Sequence, residues 1–281
     1  MRRLPLRQAV ALGLLQGPTE MLPISSSGHT TLVPWLANWP YTQLDPKLRK
    51  SFEVALHAGT AAALLLRSPS GAPKRPTCST EQAGRSPRLR VKLAFLLPAV
   101  IPPALAGYAL GGQIERRLGT PTATATGLLA GSVAMLGADL GANSARPAAN
   151  AGSRDGLLLG LAQALALMPG VSRSGAALTA ARLSGFSRRA GDQLSWQAGL
   201  PVIAGAALLK GTRLLREGAP EGKAHGLALP FTAGAASAFL STLASARVLG
   251  PERRAALLPA CAVYRAALAL LVIRRMRDNT I

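Results

Sequence analysis

The sequence predicts a helical, polytopic membrane protein containing two broken, re-entrant segments, and three observations lead there. Apolar residues make up 49% of the 281 positions and come in blocks, the charged residues fall mostly between those blocks, and one pattern of break occurs twice. The blocks are 52–66, 93–110, 123–141, 156–167, 197–209, 226–246 and 255–273. Several approach the roughly 20 apolar residues that cross a bilayer, and others are too short to cross it straight. A soluble protein with Ala-rich core helices accounts poorly for so many blocks in one chain.

The chain starts with "MRRLPLRQAVALGLL", a basic start and short apolar run like those of a signal peptide. The next residues, "QGPTEMLPISSSG", hold no small-x-small cleavage site, so the segment is expected to stay on the chain. The stretch 67–90 is rich in Pro, Gly, Ser and Arg and reads as a basic loop, cytoplasmic by the positive-inside rule. Net charge is +20, which raises nucleic-acid binding as a function class. Aromatic residues are only 4%, however, and the arginines gather where apolar blocks stop, at 2–7, 67–92, 213–216 and 274–277. Such charges anchor membrane helices and meet anionic lipid. The expected partner is therefore membrane lipid, not nucleic acid. Cys78 and Cys261 form no metal-ligand or disulfide pattern.

The two breaks belong to an internal repeat. Laid without a gap, "LGLLQGPTEMLPISSSG" (12–28) over "LGLAQALALMPGVSRSG" (159–175) matches Gln16 with Gln163, Met21 with Met168, and Ser25, Ser27 and Gly28 with Ser172, Ser174 and Gly175. Paired, interrupted apolar segments in membrane proteins often form a site at the repeat interface. Non-helical backbone at that depth is tolerated only inside protein or against a watery cavity. A helix restarting after Ser-x-Ser-Gly points free N–H groups into the break, which makes an anion site. Glu20 lies four residues after Gln16, one helical turn on, and an acidic residue in an apolar block is a functional candidate. His29 comes three residues after Ser26, so the two can share one helical face. Arg173, between two serines, suits two phosphate oxygens at once. Glu53 and His57 form a second polar pair, read as structural or supporting.

"QGPTEMLPISSSGH" together with "MPGVSRSG" resembles the undecaprenyl-diphosphate phosphatase family, also known for bacitracin resistance. Further matches at 52–54, 97–107, 194–206 and 259–265 extend the resemblance over nearly the whole chain. It implies an all-α fold with about six spans plus two re-entrant helical hairpins in an inverted repeat. That makes residues 1–281 a single membrane domain with repeats at roughly 5–142 and 155–275. The implied reaction is hydrolysis of undecaprenyl diphosphate to the monophosphate and inorganic phosphate. The site would open on the outer face of the bacterial cytoplasmic membrane.

By position, the resemblance places Glu20, Ser26, His29 and Arg173 in catalysis. Ser25, Ser27, Gly28, Ser172, Ser174 and Gly175 fall on substrate. A divalent cation, magnesium or calcium, is expected on Gln16 and Glu20. Ser26 is the favoured nucleophile with His29 as its proton carrier, and attack by water or by His29 itself stays open. One position departs from the family pattern: Ala177 stands where a threonine is usual, and Thr179 is the nearest hydroxyl to take its place. A lipid-phosphate transporter and a non-catalytic lipid-binding paralogue are the rival classes, and a homo-oligomer is left open.

Overall fold

The computed structural model describes residues 4–67, 85–142, 145–217 and 224–278, and among them every regular element is helical. Ala- and Leu-rich blocks favour helix intrinsically, and several of the starts carry a side-chain cap. The first half comprises α1 (Leu6–Met21), α2 (Ser26–Leu36), α3 (Pro46–Leu66), α4 (Arg85–Leu118) and α5 (Pro121–Leu140). The second comprises α6 (Ser153–Leu165), α7 (Arg173–Leu183), α8 (Arg188–Glu217), α9 (Ala224–Val248), the short α10 (Pro251–Ala256) and α11 (Leu258–Asp278). Asp45 caps α3 by accepting from the N–H groups of Lys47 and Leu48, and Thr120 caps α5 from Ala123. Both helices carry Pro at the first helical position, where no N–H is missed.

Leu93–Ile114, Pro121–Leu140 and Leu227–Val248 are long and apolar enough to cross a membrane, by length and composition. Large apolar side chains are exposed along the outside of the bundle, among them Leu105, Tyr108, Val133, Leu208, Leu229 and Leu240. A surface of this kind is matched by lipid rather than water. The basic stretch 67–90 corrects one expectation. Residues 68–84 lie outside the described residues, but 85–90 are the first turns of α4, not loop.

The short helices α1 and α6 each start one broken segment, and each packs against a long helix of the other half: α1 on α9, α6 on α4. α5 packs on α11. Gly13 and Gly17 bring α1 against the backbone of α9, and Gly156 and Gly160 bring α6 against Phe95 and Pro98 of α4. A side chain at any of the four would run into the neighbouring backbone. Small residues four apart permit this close approach where no water is available to drive packing. Asp155 ties down the start of α6, just outside the apolar stretch 156–167. It accepts both guanidinium N–H groups of Arg146 at 2.8 Å and the Gly152 N–H. Burial alone pushes its carboxyl up. The Arg146 and Gly152 hydrogen bonds and the nearby arginine charges outweigh burial and hold it below the ordinary carboxylate value.

Candidate active site

Both breaks end in a capped restart. At the first, α1 stops at Met21 and the chain runs through Leu22, Pro23 and Ile24 to Ser25, whose φ is 74°. A left-handed serine is a strained residue, held here by its own polar groups. Its Oγ accepts the Gly28 N–H at 3.2 Å, and its carbonyl accepts from the Nδ1 of His29 at 2.7 Å. At the second, Gly170 turns the chain at φ 86°, packed on the Thr124 carbonyl of α5. Ser172 then caps α7 by accepting the Gly175 N–H at 3.2 Å. Ser25 and Ser172, paired by the sequence repeat, therefore perform the same task. The serines two residues on stand beside their caps: Ser27 Oγ is 3.5 Å from Ser25 Oγ, and Ser174 Oγ is 3.2 Å from Ser172 Oγ. The other N–H groups of each first turn have no partner within their helix, as at any helix N-terminus.

Glu20 joins the breaks. Its Oε1 accepts Nη2–H of Arg173 at 3.0 Å, across 153 residues of sequence, and its Oε2 accepts Oγ–H of Ser26 at 2.7 Å. Among the described residues Glu20 is the one hydrogen-bond partner of the Arg173 guanidinium. Gly199 on α8 makes the room: a Cβ there would collide with Arg173 Nη1. Gly199→Ala is accordingly expected to push Arg173 off Glu20 and lower kcat/KM about tenfold or more, the worth of one charge-assisted hydrogen bond. Turnover of the purified variant with prenyl diphosphate measures this.

Gln16 is buried one turn before Glu20. Its Nε2 lies 3.2 Å from His57 Nδ1, and its Oε1 has no hydrogen-bond partner among the described residues. His57, read from sequence as supporting, thus sets the direction of the Gln16 amide.

His29 is not the hydrogen-bond partner of Ser26. Its Nδ1 meets the Ser25 carbonyl and its Nε2 the Tyr264 hydroxyl at 2.8 Å, while Ser26 donates to Glu20. The physical reason is the lean of helical side chains toward the N-terminus, which lays the imidazole over residue i−4 instead of beside i−3. The hydroxyl of Thr179 donates to the Gly175 carbonyl at 2.8 Å within α7. Ala177 is fully buried in an apolar cluster with Phe95, Ala99, Leu159 and Ala198.

Arg265 of α11 was not singled out from sequence, although an arginine inside an apolar block is itself a signal. It is 1% exposed, and its guanidinium donates to the Pro23 carbonyl of one break and the Gly170 carbonyl of the other, both at 3.3 Å. Gly131 and Gly175 are bare because a side chain at either would press on that guanidinium. One buried cation therefore fastens both turns from behind, while Glu20 and Arg173 join the breaks in front.

Comparison with known proteins bears on the chain as a whole. The profile of the family described as Bacitracin resistance protein BacA matches residues 9–271. Proteins named undecaprenyl-diphosphatase are similar along most of the chain. That of Geobacter sulfurreducens is 38% identical over 236 residues, covering 83% of this chain and 85% of the relative. That of Gemmatimonas aurantiaca is 32% identical over 281 residues, covering 97% and 98%. That of Acidiphilium cryptum is 36% identical over 276 residues, covering 94% and 97%. With nearly all of its length matched, this chain belongs to the bacitracin resistance protein BacA family.

Proposed function

We propose that this chain hydrolyses undecaprenyl diphosphate to undecaprenyl phosphate and inorganic phosphate, which recycles the lipid carrier of cell-wall synthesis and confers bacitracin resistance. The observation that carries the reading is the Ser26–Glu20–Arg173 array: a hydroxyl on a carboxylate, and that carboxylate on a guanidinium from the other break.

The terminal phosphoryl group of the lipid lies among Arg173 and the N-termini of α2 and α7, where the N–H groups and serine hydroxyls match its oxygens. Ser26 Oγ attacks the terminal phosphorus as its proton passes to Glu20 Oε2. The bond from that phosphorus to the bridging oxygen breaks, and undecaprenyl phosphate departs with the electron pair. Water then forms a bond to the phosphorus and gives its proton to His29 Nε2. The Ser26 Oγ–phosphorus bond breaks, Oγ recovers its proton from Glu20, and inorganic phosphate leaves as His29 Nε2 passes its proton to solvent. Arg173 holds the phosphoryl charge in both halves.

Gln16 Oε1 is a buried acceptor without a partner among the described residues, and the Glu20 carboxylate lies one turn away. Hard oxygen donors of this kind fit magnesium or calcium, and no group of three His, Cys, Asp or Glu converges among the described residues, so substrate oxygens would complete the coordination. When bound, the cation supplies charge neutralisation on the diphosphate. Gln16→Ala is expected to raise the cation concentration for half-maximal activity several-fold while leaving turnover at saturating cation close to normal. An unchanged titration curve removes Gln16 from that role.

The exchange of packing partners between halves, α1 on α9 and α6 on α4, supports an inverted repeat. Family membership supports a site open to the outer face of the cytoplasmic membrane. Release of phosphate from undecaprenyl diphosphate by the purified protein tests the function. Lipid binding or transbilayer movement without phosphate release would instead establish the transporter or a non-catalytic paralogue.

A further inference from the structure

His29 makes two hydrogen bonds, and together they fix the tautomer of its neutral ring. A carbonyl oxygen only accepts, so the 2.7 Å contact with Ser25 O places a proton on Nδ1. In the neutral ring Nε2 is then the unprotonated nitrogen, and the Tyr264 hydroxyl 2.8 Å away must be its donor. The two rings are nearly parallel, 11° apart with centroids at 5.6 Å. Tyr264 itself is 46% exposed on α11, while His29 is 1% exposed. The next residue, Arg265, fastens α11 to the Pro23 and Gly170 carbonyls, so the hydroxyl is presented from a fixed backbone.

We infer that Tyr264 is the positioning residue of His29. It holds the imidazole with its lone pair directed out of α2, and it occupies that lone pair until a proton must be taken. The inference rests on the phosphatase reading only for the role of His29, not for the contact. Sequence places the two residues 235 positions apart, and only the packing of α11 behind the first break brings them together. The hydroxyl acts through the histidine and touches neither phosphorus nor the leaving oxygen.

The test is Tyr264→Phe in the full chain, which keeps the ring and deletes the donor. The Nε2 resonance of His29 is tracked by 15N NMR of histidine-labelled protein and assigned by its loss in His29→Gln. Turnover is measured with prenyl diphosphate. Tyr264→Phe is expected to move the Nε2 resonance toward that of an unbonded imidazole nitrogen. It is also expected to lower kcat about tenfold, the worth of one ordinary hydrogen bond, with KM within about twofold. An unmoved resonance overturns the contact, and a moved resonance with unchanged kcat overturns the positioning role. If Tyr264→Phe is recovered only as aggregate, fluorotyrosine in place of the three tyrosines keeps the shape. Its more acidic hydroxyl must then move the resonance in the opposite sense, and no movement overturns the proposal. If the wild-type protein releases no phosphate, the functional reading fails, while the Nε2 resonance still decides the contact.

Discussion

Arg173→Ala abolishes phosphate release, with kcat/KM expected to fall about a thousandfold or more. Removal of a single preorganised donor from a developing oxyanion costs about 10²–10³ in rate, and Arg173 also brings a full charge and several N–H groups. Arg173→Lys keeps the charge without the planar fork, and about a hundredfold loss is expected. The substitution also touches stability. The Arg173–Glu20 pair is largely buried, with side chains 18% and 8% exposed, so alanine leaves Glu20 as an unpaired buried charge. Breaking such a pair from one side costs about 3–5 kcal/mol. The double variant Arg173→Ala with Glu20→Gln removes both charges, so its melting temperature should recover toward wild type while activity stays absent. Near-normal turnover by folded Arg173→Ala would end the role assigned to it.

Ser26→Ala carries the second large effect. A serine hydroxyl attacks slowly unless a base takes its proton, and the 2.7 Å bond to Glu20 Oε2 supplies that base in place. Turnover should fall about 10⁴-fold while the lipid diphosphate still binds, because Arg173 and the two helix starts are untouched. Glu20→Gln should be comparably impaired, and Ser26→Ala with Glu20→Gln scarcely worse than either alone, since the two act as a unit. Isothermal binding and single-turnover rates of the three variants measure this. If Ser26→Ala keeps substantial turnover while His29→Ala is dead, the serine is a phosphate ligand and His29 is the nucleophile or the base for water.

The breaks were legible in the sequence because Ser-x-Ser-Gly after an apolar run states a helix restart in chemical terms. Both serines at the cap position do cap, and the glycine three residues on donates the N–H that each cap accepts. The juxtaposition of Glu20 with Arg173 was foreshadowed only as two halves of one site. Its hydrogen bond depends on how α1 and α7 are carried together by packing, and no spacing encodes that. Helical spacing misled at His29: three residues put it on the face of Ser26, but side-chain lean and the turned carbonyl of Ser25 claimed its ring. Arg265 and Tyr264 escaped because their partners lie in breaks far away in sequence, so only tertiary packing reveals them. The start of α4 at Arg85 shows the converse limit, since a Pro- and Ser-rich basic stretch reads as loop although its last residues take up helix.

The most direct measurement uses undecaprenyl diphosphate labelled on the terminal phosphorus, mixed with purified protein and divalent cation and quenched in acid within one turnover. The expected result is label on a peptide containing Ser26, stable to acid, which decays at the rate at which labelled inorganic phosphate appears and is missing from Ser26→Ala. Label on His29 in a parallel sample quenched in alkali, where a phosphoimidazole survives, or full phosphate release with no labelled protein in either quench, would contradict attack by Ser26.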